Sequence, residues 1–107
     1  MIFITAKFQV LPEHADDWPT ISNALTRATR AEPGCLWFDW SRSLDDSDEY
    51  ILVEAFTDSN AGAAHVGSAH FTQACTDLPP YLARTPRIVN AEVPGTSWSK
   101  LGEMAVD

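Results

Sequence analysis

Between positions 35 and 56 the chain carries two strand-length runs joined by an acidic turn, and this pair constrains the fold more than any other feature. Cys35-Leu36-Trp37-Phe38-Asp39-Trp40-Ser41-Arg42 sets Leu36, Phe38 and Trp40 on one face, the two-residue period of a strand with one buried side. Leu44-Asp45-Asp46-Ser47-Asp48 is the turn. The second run, Glu49-Tyr50-Ile51-Leu52-Val53-Glu54-Ala55-Phe56, is apolar on both faces apart from Glu54, which suits a central strand.

The flanks supply the rest of the layers. Ile2, Ile4, Ala6, Phe8 and Val10 alternate with Thr5, Lys7 and Gln9, a strand pattern that only Phe3 interrupts. After Leu11-Pro12-Glu13, the residues Trp18, Ile21, Leu25 and Ala28 recur at helical spacing while Thr20, Asn23, Arg27 and Arg30 point elsewhere. Pro19 fits such a helix only in its first turn, with Asp16 or Asp17 as cap, or else kinks it. Glu32-Pro33-Gly34 stops it.

Beyond the hairpin, Asp58 or Ser59 caps a short helix through Ala61 to Val66, Gly67 breaks it, and Ser68 caps a second through Phe71, Ala74 and Cys75. Leu78-Pro79-Pro80 closes that region and Tyr81-Leu82-Ala83-Arg84 allows one turn. Pro86 then introduces Ile88-Val89-Asn90-Ala91-Glu92-Val93 as a fourth strand, ended by Pro94-Gly95.

Strand, helix, strand, strand, helix, strand is the split βαβ order, so an α+β fold is expected: a ferredoxin-like βαββαβ sandwich with a four-stranded antiparallel sheet and its helices on one face. The other face would carry Trp37 or Tyr50 and must be covered. A chain of 107 residues with four Trp, five Phe and two Tyr has more large apolar side chains than one small core readily hides. Two identical sheets paired by a two-fold axis would cover them, forming a homodimer of the dimeric α/β barrel type. The domain is expected over 1–95, with a tail over 96–107 that could extend across the partner.

Charge excludes some partners. The formal net charge is −8 and the seven Lys and Arg are scattered, which speaks against nucleic acid and against anionic membranes. The start, Met1-Ile2-Phe3-Ile4-Thr5-Ala6-Lys7, lacks the basic stretch and uninterrupted apolar core of a signal peptide, and no run approaches transmembrane length, so a cytoplasmic location is expected. There is no Gly-rich phosphate loop, and Cys35 and Cys75, without C-x-x-C spacing, read as free thiols.

Candidate chemistry centres on Ala64-His65-Val66-Gly67-Ser68-Ala69-His70-Phe71. His65 and His70 stand on either side of the break at Gly67, which offers neither a zincin spacing nor a same-face pair on one helix, so no metal is expected. With Ser68 as cap, His70 is the second residue of its helix, where the dipole disfavours the charged ring. A neutral imidazole makes either histidine a candidate general base, with His14 a weaker one; the alternative for His65 is a ring packed on the sheet and bonded to a carbonyl. Glu54 must find Arg, His or a hydroxyl, or take up a proton, and Arg42 on the neighbouring strand is the expected partner. Trp40, Phe38, Phe56 and Phe71 serve as core or as an aromatic wall, and Tyr50 and Asn90 offer hydrogen bonds to a ligand.

Glu32-Pro33-Gly34-Cys35, then Tyr50 through Asp58, then the A-H-x-x-S-x-H-F segment from Ala64 resemble, in type and order, the antibiotic biosynthesis monooxygenase family. The resemblance spans Ile2 to Val93. It implies a homodimer with an apolar pocket in each subunit, often oxygenating polycyclic aromatics with no metal, flavin or other cofactor. The partners implied are a small-molecule substrate and molecular oxygen. His65 or His70 would then take a phenolic or enolic proton from an electron-rich aromatic or quinol, with Tyr50, Asn90 or Trp40 steadying the anion and Phe56 and Phe71 lining the site. The haem-degrading branch uses an Asn, Trp and His set where this chain has Lys7, His65 and Cys75, which speaks against haem cleavage. Two other readings stay open: an isomerase of a small oxygenated metabolite, drawing on Arg42, Arg84 or Arg87, and a non-enzymatic ligand-binding dimer.

Overall fold

The computed structural model describes residues 1–106. Strands β1 (Ile2–Gln9), β2 (Cys35–Arg42), β3 (Glu49–Phe56) and β4 (Arg87–Glu92) form one sheet in the order β2-β3-β1-β4. Every neighbouring pair is antiparallel, so the α+β ferredoxin-like arrangement expected from the order of elements is the one adopted. Helices α1 (Trp18–Ile21) and α2 (Asn23–Arg30) follow β1, and α3 (Ser59–Val66) and α4 (Ala69–Asp77) follow β3. Among the described residues no helix is long and apolar enough to cross a membrane.

Register fixes which side chains share the space under the helices. Phe38 lies opposite Glu54, Glu54 opposite Ile4, and Ile4 opposite Asn90, a row that crosses the whole sheet. Two residues along, on the same face, Trp40, Leu52 and Ala6 make the next row, followed by Tyr50 and Phe8. Ala6, Phe38 and Leu52 are buried as one cluster, and Val10, Ala15, Trp18, Tyr50 and Leu78 as another. Phe8, Leu25 and Trp40 touch both, joining the two into one core.

Tyr50 faces the helices, not the open side. Its position follows from the two-residue period it shares with Leu52 and Glu54, and its hydroxyl donates to the Ala15 carbonyl at 2.8 Å. Trp37 does lie on the open face. A register irregularity between Cys35 and Trp37 precedes it, and its ring meets that of Trp98 in the tail at a tilt, with centroids 5.2 Å apart. In this chain the tail therefore reaches back onto its own sheet.

The first helical unit is split at Ser22, whose hydroxyl donates to Trp18 O at 2.8 Å. Thr26 repeats the motif one turn on, donating to Ser22 O at 2.9 Å while accepting Trp40 Nε1–H, also at 2.9 Å. Back-bonded hydroxyls of this kind let a helix bury polar residues against a sheet. Pro19 occupies the first turn as expected, but Asp17 at the cap makes no side-chain hydrogen bond. The turn expected at 81–84 forms earlier, at Pro79–Tyr81, because Leu82 bridges to Val10.

Candidate functional site

The A-H-x-x-S-x-H-F segment is held by two caps. Asp58 Oδ1 accepts the Ala61 amide at 2.8 Å and starts α3, whose last turn carries His65. Ser68 Oγ accepts the Phe71 amide at 3.2 Å to start α4, and donates to His65 O at 2.6 Å. One hydroxyl thus ties the end of one helix to the start of the next. The bend folds His70 back towards His65, with ring centroids 6.0 Å apart.

Both rings meet at Glu32. The Nδ1–H of His65 donates to Glu32 Oε2 at 2.7 Å, and the Nε2–H of His70 donates to the same oxygen at 2.6 Å. A carboxylate oxygen only accepts, so these two ring nitrogens carry the protons. His65 is almost fully enclosed, its side chain 6% exposed, against 15% for Glu32 and 27% for His70. Glu32 comes from the turn after α2, where its amide bonds Thr29 O and its carbonyl accepts Cys35 N. Gly34 lets that turn seat against Ala61 of α3.

The break at Gly67 does not keep the histidines apart, contrary to the expectation from their spacing. A bend between two short helices brings them to one point that a straight helix could not. Among the described residues Glu32, His65 and His70 are the cluster whose donor atoms approach closely enough to suggest an ion. The separations of 2.6 and 2.7 Å are those of charge-assisted hydrogen bonds.

Phe56 stacks on the His65 ring at 4.9 Å and Phe71 meets it edge-on at 5.0 Å. On the sheet side Glu54 Oε1 stands 4.0 Å from His65 Nε2, beyond hydrogen-bond reach. Burial, reinforced by the Glu32 charge, pushes the Glu54 carboxyl up to about 7. Arg42 is not its partner. In the β2–β3 register Arg42 lies opposite Tyr50, four residues along the strand from Glu54, and it bonds Asp16 at 2.9 Å while covering the Tyr50 ring.

Glu54 and His65 open onto a cavity of about 350 Å³ between the sheet and α4. Ile4, Ala6, Phe8, Phe38, Leu52 and Phe71 contribute to its walls, and no Lys or Arg lines it. Of the side chains singled out in the sequence, Phe38, Glu54, His65 and Phe71 line this cavity and Phe56 backs His65. His70 reaches it only through Glu32. Trp40 and Tyr50 border a separate depression with Trp18 and Arg30, and Asn90 is exposed on β4, in the same row as Glu54 but outside the cavity wall.

Glu32 was legible only as part of a helix stop. The signal that could have found it is the need of a buried histidine for an acceptor. Cys35, on the neighbouring strand, has its thiol pushed up to about 11 by burial and by the charges of Glu32 and Glu54. Both cysteines are free, and Cys75 is exposed at the cavity rim.

The chain is similar to several known proteins. The chain is 27% identical over 71 residues to "Putative monooxygenase YcnE" of Bacillus subtilis (strain 168), an alignment covering 66% of this chain and 75% of that one. It superposes on the structure of Rv0793 from Mycobacterium tuberculosis with a TM-score of 0.79 at 26% identity, over 90% of this chain and 98% of that one. A crystal structure of an antibiotic biosynthesis monooxygenase gives a TM-score of 0.78 at 24% identity, over 87% and 98%, which is likeness of fold. The family model of antibiotic biosynthesis monooxygenases matches residues 1–77, from β1 to the last residue of α4. The chain belongs to the antibiotic biosynthesis monooxygenase family.

Proposed function

We propose that the protein is a cofactor-independent monooxygenase that takes a proton from a phenolic or enolic substrate at His65 Nε2. The observation that carries this reading is the 4.0 Å gap between His65 Nε2 and Glu54 Oε1 on an otherwise apolar wall. Glu32 holds His65 as the Nδ1–H tautomer, which leaves the Nε2 lone pair free towards the gap. A substrate hydroxyl placed there meets a base on one side. On the other it meets a carboxyl that, with its pKa at about 7, is substantially protonated near neutrality and can donate to the developing oxyanion.

The chemistry then needs only dioxygen. Once the hydroxyl proton is on His65, the electron-rich anion gives one electron to O2, and the two radicals combine as a carbon-bound peroxide anion that takes the proton back from His65 to become the hydroperoxide. Loss of water from it leaves a carbonyl, with one oxygen atom in the product and the other in the water. The dry walls disfavour escape of charged intermediates. A cavity of about 350 Å³ suits a flat aromatic of a few fused rings with one ionisable hydroxyl.

Isomerisation of a phosphorylated sugar has less support, because Arg42 is engaged by Asp16, Arg87 by Glu49, and no cation lines the cavity. The reading includes a homodimer built on the open face of the sheet, where Val89 is 67% exposed. The test is oxygen consumption with a panel of hydroquinones and anthrone-type phenols, compared with His65→Ala. Uptake that falls in the variant by about 100-fold or more is expected. Full activity in His65→Ala, or turnover unchanged without oxygen, would overturn the reading.

A further inference from the structure

We propose that Glu32 couples His65 to His70 so that a proton taken up at His65 in the cavity is matched by a proton released from His70 at the surface. The proposal builds on the reading of His65 as the base, and extends it to two residues that do not touch the cavity.

The geometry is a single carboxylate oxygen with an imidazole N–H on each side, at 2.7 and 2.6 Å. One negative charge stabilises one imidazolium well and a second poorly, since two cations on one anion leave an uncompensated charge in a mostly enclosed site. The two rings therefore compete for the same counter-charge. In the resting triad the single cation on Glu32 is His70, protonated on both nitrogens. When His65 Nε2 takes the substrate proton, the new imidazolium claims Glu32 and His70 gives up the proton on its outer nitrogen, Nδ1, to water. When His65 returns its proton to the peroxide, His70 takes one back from water. Nε2–H of His70 stays on Glu32 throughout, so no hydrogen bond breaks and the protons balance, one in and one out.

Exposure gives the arrangement its direction. His70 is the more exposed of the two rings, and its Nδ1 has no hydrogen-bond partner among the described residues. The other ionisable groups packed around the triad are Cys35 on β2 and Glu54 on β3, with Arg30 of α2 turned to the Phe38 carbonyl and Asp39. None of them offers the cavity a second route to water through hydrogen bonds. His70 and Glu32 are thus positioning residues that set how readily His65 takes up and returns its proton.

Coupled sites titrate as a pair, and that is measurable without a substrate. The experiment follows the ring nitrogens of all three histidines by NMR across pH in the full-length protein, in His70→Gln and in Glu32→Gln. His14, which packs on Tyr81 away from the triad, serves as the uncoupled control. In the native protein His65 and His70 should each report two shared steps. In His70→Gln, His65 should collapse to one step, and in Glu32→Gln the two rings should titrate independently. Two single, independent steps in the native protein would overturn the proposal.

A kinetic arm separates this from the oxygenase reading. With any phenol that supports oxygen uptake, His70→Gln should lower kcat with KM unchanged, shift the pH profile, and recover on addition of free imidazole. Shared titration steps without oxygen uptake from any phenol would sink the oxygenase reading and leave the coupling standing. Uptake by His70→Gln with native kcat and pH profile would overturn the coupling while leaving His65 as the base.

Discussion

Gly34 and Ala61 touch so closely that a Cβ built on Gly34 would lie 2.3 Å from the Ala61 Cβ. The contact sets the turn bearing Glu32 against the helix bearing His65, so a methyl group there must push the two apart. Gly34→Ala should destabilise the protein by about 1–3 kcal/mol, the usual cost of overpacking. Paired denaturation of Gly34→Ala, Ala61→Gly and the double variant checks this, with the double variant recovering much of the loss. Independent, additive effects would show that the contact is not the cause.

Glu54 predicts a dependence of stability on pH. Its carboxyl is raised from 4.5 to about 7 in the folded chain, so between those values the native state binds more protons than the unfolded one. Its contribution is therefore present in full below about 4.5 and lost as pH rises through about 7. Glu54→Gln should remove that slope and stabilise the protein at pH above 7 by on the order of 2–3 kcal/mol. Urea melts of both proteins at several pH values provide the measurement, and parallel curves would refute the assignment.

The two thiols should react very differently. Cys35, half-buried with its thiol raised to about 11, should resist alkylation by iodoacetamide at mildly alkaline pH, whereas exposed Cys75 should be modified first. Mass spectrometry of peptides after timed alkylation tells them apart. Equal rates at the two positions would contradict the structure.

The strands were legible because their signal is local. The alternation in Ile2–Gln9, and the runs at 35–42 and 49–56, place each strand within a residue or so of where it lies. The caps of α3 and α4 were equally readable, since Asp58 and Ser68 each act on an amide three residues on. The face assignment of Tyr50 and the partner of Glu54 were not, because a strand apolar on both sides does not say which side meets the helices, and the partner depends on register between strands. Glu32 escaped for the same reason. It lies 33 residues from His65 and 38 from His70 along the chain, and only the seating of a turn on a helix joins them.

The joint between α3 and α4 is only two residues, Gly67 and Ser68, with a separate cap on either side. The sheet comes from other parts of the chain, whereas the two helices carry His65, Phe71 and Ala74 of the cavity wall. Lengthening or straightening that joint would uncouple one ring from the other while leaving the scaffold intact. A change at that hinge would therefore reach the histidines and the cavity wall together and leave the sheet as it is.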